Sequence, residues 1–88
     1  MPYYFKIYAK VSCPFCVDVI NKMNEHGFDH ALILLDKAPD YHSTLKNYYE
    51  HDTVPIVVKV NSTDGAKEFI GGCDDFSAWL LLQGFENA

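Results

Sequence analysis

Two of the chain's three cysteines stand with two residues between them, in Cys13-Pro14-Phe15-Cys16. Such a pair supports either dithiol–disulfide exchange or metal ligation. A structural zinc site takes four ligands, usually from a second C-x-x-C or a Cys/His pair. Here the remaining donors are Cys73 and the scattered His26, His30, His42 and His51, which show no ligand spacing and read as ordinary surface or helix-end residues. An odd, sparse cysteine set also argues against a disulfide-stapled secreted scaffold. Redox exchange is the chemistry that survives, and no metal site is expected.

That chemistry depends on where the pair sits. Residues 3–9, YYFKIYA, form a β-branched and aromatic run suited to a buried strand. Pro14 suits the first position of a helix, where its missing N–H costs nothing. Cys13 then lies at a helix N-terminus, where unpaired amides and the macrodipole favour a thiolate. Cysteines so placed titrate at roughly 3.5–7.5, and Lys10 adds a positive charge three residues upstream. Cys16, one turn along, should be more buried. The asymmetry predicts that Cys13 attacks and Cys16 resolves the mixed disulfide.

The rest of the chain supplies the elements that position the pair. Cys16, Val19/Ile20 and Met23 recur at helical spacing until Gly27 supplies a stop. Residues 30–35, HALILL, read as a second buried strand. Asp40 is expected to N-cap a second helix with Tyr41, Leu45 and Tyr48 along one face. A strand over 53–60, TVPIVVKV, turns through residues 61–65 into a hairpin with KEFI at 67–70. Gly71-Gly72 breaks that strand, and Asp74 or Asp75 is expected to cap a last helix with Phe76, Trp79, Leu80 and Gln83 inside. Tyr41, Tyr48, Tyr49 and Trp79 read as core. The order β-α-β-α-β-β-α is that of an α/β minimal thioredoxin fold, a four-stranded mixed sheet with helices on both faces, and the pattern alone also suits other α/β sandwiches.

Eighty-eight residues suffice for one domain, expected to span 1–88, and its 49% apolar content is ample for a core. Net charge is −5 and every basic residue is lysine. Without arginine the bidentate contacts typical of phosphate and guanine recognition are missing, so nucleic-acid binding is not expected. No segment reads as a membrane span or secretory leader, which makes a cytoplasmic monomer the expectation.

The stretch Tyr8-Ala9-Lys10-Val11-Ser12-Cys13-Pro14-Phe15-Cys16 resembles the active-site segment of dithiol glutaredoxins, whose usual motif reads C-P-Y-C. Thr53-Val54-Pro55 and Gly71-Gly72-Cys73-Asp74-Asp75 follow in that family's order and spacing, and the resemblance spans residues 4 to about 84. It implies a thioredoxin fold, a cis bond before Pro55, and a Val54 backbone that faces the cysteines. It also implies glutathione as co-substrate, with no permanently bound cofactor. Glutathione is expected along Lys10, Phe15, Thr53, Val54, Pro55, Gly72, Cys73, Asp74 and Asp75. Amides at 73–75 suit its γ-glutamyl carboxylate and an Asp its amine. Cys73 reads as a small apolar wall residue.

Two departures stand out. Phe15 replaces the usual tyrosine, and Glu50-His51-Asp52 stand where many relatives carry glycine or a basic residue. Lys10 is therefore the chief candidate for glutathione's glycine carboxylate, with Lys46 and His42 behind it. The implied activity is reduction of protein disulfides and glutathionylated proteins, ribonucleotide reductase being a candidate client. One rival is a thioredoxin-like donor reduced by a flavoprotein, disfavoured by the absent W-C-G-P-C signature. Another is an iron–sulfur carrier using Cys13 and glutathione thiolates, disfavoured by the stiffening Pro14.

Overall fold

A computed structural model describes residues 2–85; Met1 and residues 86–88 of the expected single domain lie outside the described residues. The elements follow the expected order: β1 (Tyr3–Ala9), α1 (Pro14–Glu25), β2 (His30–Leu34), α2 (Pro39–Tyr49), β3 (Ile56–Asn61), β4 (Lys67–Gly71) and α3 (Cys73–Leu82). The sheet runs β2-β1-β3-β4. β1 pairs parallel with β2 and antiparallel with β3, and β3 pairs antiparallel with β4. This is the minimal thioredoxin fold.

The aromatic, β-branched run of β1 suits a central strand because its two faces feed two cores. Phe5, Ile7 and Ala9 meet Cys16, Val19 and Met23 of α1 and Phe76 and Leu80 of α3. Tyr8 joins Ile56, Val58 and Val60 of β3 beneath Leu45 of α2. The first core is aromatic: Phe5 lies edge-on to Phe28, Phe76 and Trp79 with centroids 5.3, 5.6 and 5.3 Å away. Gly27 takes φ +70° directly after the α1 cap, the left-handed turn that ends the helix. No helix among the described residues is long and apolar enough to cross a membrane.

Several boundaries and faces differ from those expected. α2 starts at Pro39 with Ala38 as N-cap, and Asp40 lies in the first turn. Proline at N1 moves the start two residues upstream and leaves Asp40 to complement the helix dipole. The buried side of α2 is His42 and Leu45, whereas Tyr41 and Tyr48 are exposed. Strand β2 is an edge strand, so Leu32 and Leu34 are 47% and 51% exposed. β3 begins only at Ile56, Gln83 is exposed, and α3 is capped by Gly72 rather than by an aspartate.

His42 is the largest of these changes. It is 7% exposed, and its Nε2 is buried with no hydrogen-bond partner among the described residues. Burial in the first place, then the charges of Lys46 and Lys10, hold its pKa below the ordinary histidine value.

Candidate active site

β1 ends at Ala9, and residues 10–13 turn into α1. The carboxylate of Asp36, in the β2–α2 connection, holds this turn by accepting the Val11 N–H at 3.1 and 3.3 Å. Cys13 is the N-cap of α1, and its Sγ accepts the Cys16 N–H at 3.1 Å. Pro14 at N1 removes one orphan donor, while the remaining first-turn amides favour negative charge on the cap sulfur. Cys13 and Cys16 are joined as a disulfide, with Cα atoms 5.2 Å apart. Cys13 is half-buried and Cys16 is 1% exposed, so a nucleophile from solution reaches Cys13 first.

The second segment is Thr53-Val54-Pro55, whose Val54–Pro55 bond is cis. The carbonyl oxygen of Val54 faces Cys13 Sγ at 3.8 Å. The third is the start of α3, where Gly71 has φ +124° and a Cβ would collide with the Asp75 carboxylate. That carboxylate accepts the Gly72 N–H at 2.9 Å, so Asp75, at N3, closes the helix start. The first-turn amides of α3 lack intrahelical acceptors and point outward from the helix start.

Between these segments lies a cavity of about 350 Å³. Its walls are Phe15 from α1, Thr53, Val54 and Pro55 from the second segment, and Gly72, Cys73, Asp74 and Asp75 from the third. Lys10 is exposed and does not line it. Neither do His42 and Lys46, which share a neighbourhood with Lys10 through their charge interactions.

Cys73 lines the cavity as expected, but its thiol is hydrogen-bonded rather than purely apolar. Its Sγ donates to Asp18 Oδ2 at 3.2 Å, and Asp18 also pairs with Lys22 Nζ at 3.1 Å. Lys22 reaches on to Ser77 Oγ at 2.6 Å, tying α1 to α3. Burial first, then the hydrogen bond to Asp18 and its charge, push the Cys73 thiol up to about 11. The same hydrogen bond, followed by that from Lys22, lowers the Asp18 carboxyl.

Three residues of the site were missed from sequence. Asp36 and Asp18 act across 25 and 55 residues of chain, and nothing in their local sequence marks those partners. His51 also lines the cavity, with Nε2 3.3 Å from Thr53 Oγ1. Its only signal was the departure from the family pattern just before Thr53.

The family model for glutaredoxins matches residues 5–62, two thirds of the chain, including the cysteine pair and the cis-proline segment. The chain belongs to the glutaredoxin family. Solved relatives agree with that membership. A wheat glutaredoxin is 32% identical, with 91% of this chain and 70% of that one covered at a TM-score of 0.72. A dithiolic glutaredoxin from Trypanosoma brucei brucei is 28% identical, with 91% and 78% covered at 0.71. A buckwheat glutaredoxin, solved as its glutathione complex, is 25% identical, with 93% and 71% covered at 0.75. No curated protein sequence matches the chain significantly. As a glutaredoxin, the protein is a thiol–disulfide oxidoreductase with Cys13–Cys16 as its redox pair.

Proposed function

We propose that this glutaredoxin uses glutathione to reduce protein disulfides and glutathione mixed disulfides. The observation that carries the reading is the line from Cys13 Sγ, past the Val54 carbonyl 3.8 Å away, into a cavity that ends at the α3 N-terminus. A tripeptide thiol fits that line. Its sulfur meets Cys13, its cysteinyl backbone runs along Val54, and its γ-glutamyl carboxylate meets the α3 amides. Asp74 is exposed and, unlike Asp75, is not engaged by Gly72, so it is the carboxylate free for the ligand's ammonium. A cavity of this volume lies within the usual range for small-ligand sites, and the buckwheat relative was solved with glutathione bound.

The cycle balances in thiols and electrons. The Cys13 thiolate attacks a substrate disulfide, forming a mixed disulfide and releasing one substrate thiolate. Cys16 then attacks Cys13 Sγ, which frees the second substrate sulfur and leaves the Cys13–Cys16 disulfide seen here. One glutathione thiolate opens that bond at the more accessible Cys13. A second attacks the mixed disulfide, giving glutathione disulfide and the reduced pair, two electrons in all. With a glutathionylated protein, Cys13 takes the glutathione directly and Cys16 is not needed. The reading places the protein in a reducing compartment such as the cytosol, where disulfides turn over rather than persist.

A glutathione-coupled disulfide-reduction assay tests the proposal. Wild type should show saturable glutathione dependence, and Cys13→Ser should abolish turnover of both disulfide and glutathionylated substrates. Reduction that proceeds equally well with an unrelated small thiol would overturn the glutathione assignment.

A further inference from the structure

We propose that His51 is the cationic contact for the γ-glutamyl carboxylate of glutathione; this rests on the glutathione reading above. The ionisable side chains lining the cavity are His51, Cys73, Asp74 and Asp75. No lysine lines it, and the chain has no arginine. Glutathione brings two carboxylates and one ammonium. One aspartate can answer the ammonium, but both add negative charge at the end where the α-carboxylate must sit. The partial charge of the α3 N-terminus, about half a unit, offsets only part of that. Of the side chains lining the cavity, His51 is the one that can carry a positive charge.

Its position fits. His51 Nε2 stands 3.4 Å from where a Cβ on Gly72 would be, beside the N-cap of α3 and its outward amides. It also lies 3.3 Å from Thr53 Oγ1, on the strip along which the ligand runs. The ring is braced from behind by Phe69, 5.6 Å away and edge-on, and Phe69 is itself stacked on Tyr49 at 4.9 Å. A carboxylate placed at the α3 amides would accept from Nε2 as well. Asp74 and Asp75 of α3 line the same cavity, Glu50 and Asp52 flank His51 in sequence, and its backbone N–H donates to the carbonyl of Lys46 at the end of α2. Phe15 of α1 adds no charge, and the Cys73 thiol is occupied by Asp18. Protonation of the ring adds a full charge to this contact, so binding should tighten as pH falls.

The test is calorimetric binding of S-methylglutathione, which keeps the carboxylates and ammonium but cannot exchange disulfides, at pH 5.5 and 8.0. Wild type should bind roughly 3- to 10-fold tighter at pH 5.5, the scale of the difference between a charge-assisted and a neutral hydrogen bond. His51→Gln should bind at the weaker level at both values, and His51→Lys at the tighter level at both. The analogue with 4-aminobutanoyl in place of γ-glutamyl, which lacks the α-carboxylate, should show no pH dependence in any variant. Melting curves run alongside identify a variant that fails to fold, and the wild-type and lysine profiles decide the matter in that case. Wild-type pH dependence that persists in His51→Gln, or is absent from wild type, overturns the role of His51 while glutathione binding stands. Failure of wild type to bind S-methylglutathione at either pH overturns both readings.

Discussion

Cys13 and Cys73 occupy the first turns of two helices, yet their surroundings push them in opposite directions. Cys13 Sγ receives an amide hydrogen bond at 3.1 Å, which stabilises its anion. Cys73 instead is partly buried and donates a hydrogen bond to a carboxylate at 3.2 Å, which raises its pKa to about 11. A raised thiol pKa keeps the group protonated until pH approaches that value. At pH 7 the Cys73 thiolate is then roughly one part in ten thousand, against a few per cent for a free cysteine. In reduced protein, iodoacetamide should modify Cys13 rapidly at pH 7 and leave Cys73 almost untouched, with Cys73 labelling rising steeply only above about pH 10. Asp18→Asn removes the main acceptor and the charge behind it, so Cys73 labelling near pH 8.5 should increase. Mass spectrometry of labelled peptides checks both. Labelling of Cys73 at the Cys13 rate at pH 7 would contradict this division.

Among the elements, α3 shows how two adjacent acidic residues divide stability from binding. Both are exposed at the cavity, but Asp75 at N3 satisfies the N–H of the buried Gly72 at 2.9 Å, whereas Asp74 at N2 does not engage it. Removing the first leaves a buried donor unpaired. Asp75→Ala should cost about 1 kcal/mol, or roughly 4–8 °C in Tm for a domain of this size. Asp74→Ala should leave Tm nearly unchanged and raise the glutathione KM. The start of α3 was legible only as acidic residues after a glycine pair; which residue caps depended on the left-handed Gly71 and the turn it makes. Local rules served best where one residue type decides, as with Pro14 at the head of α1 and Gly27 after its end. They served worst where two signals competed. Asp40 suited an N-cap, but Pro39 had already begun α2, and the helix presents His42 and Leu45 inward. The apolar run of 30–35 showed a strand without showing an edge, because edge position follows from strand order. The cavity segments were legible as motifs, while Asp36, Asp18 and His51 came into view only through long-range packing.

For the molecule as a whole, the redox site lies at the junction of elements drawn from the full length of the described chain. The cysteine pair comes from the first 16 residues, the cis-proline segment from 53–55 and the α3 start from 72–75. Their alignment depends on the central sheet and on the two cores it separates. Phe5 is the residue most shared in the first core: it is fully buried and packs on aromatic rings from β1, the α1–β2 connection and α3. Truncating a phenylalanine in such a place costs about 3–5 kcal/mol, through lost transfer energy and the cavity left behind. A domain of this length has a total stability of roughly 4–13 kcal/mol. Phe5→Ala should therefore lower the urea midpoint severely while leaving m nearly unchanged, since the surface exposed on unfolding is almost the same. Leu45→Ala in the opposite core removes a smaller side chain and should cost about 2–5 kcal/mol, at the low end here because Leu45 retains some exposure. Because one sheet serves both cores, each variant should unfold in a single transition, with tryptophan fluorescence and far-ultraviolet circular dichroism coincident. Trp79 lies in the first core only, so it is a one-sided reporter. If Leu45→Ala separated the two signals, the α2 face would be melting independently of the site, and the sheet would not couple the cores.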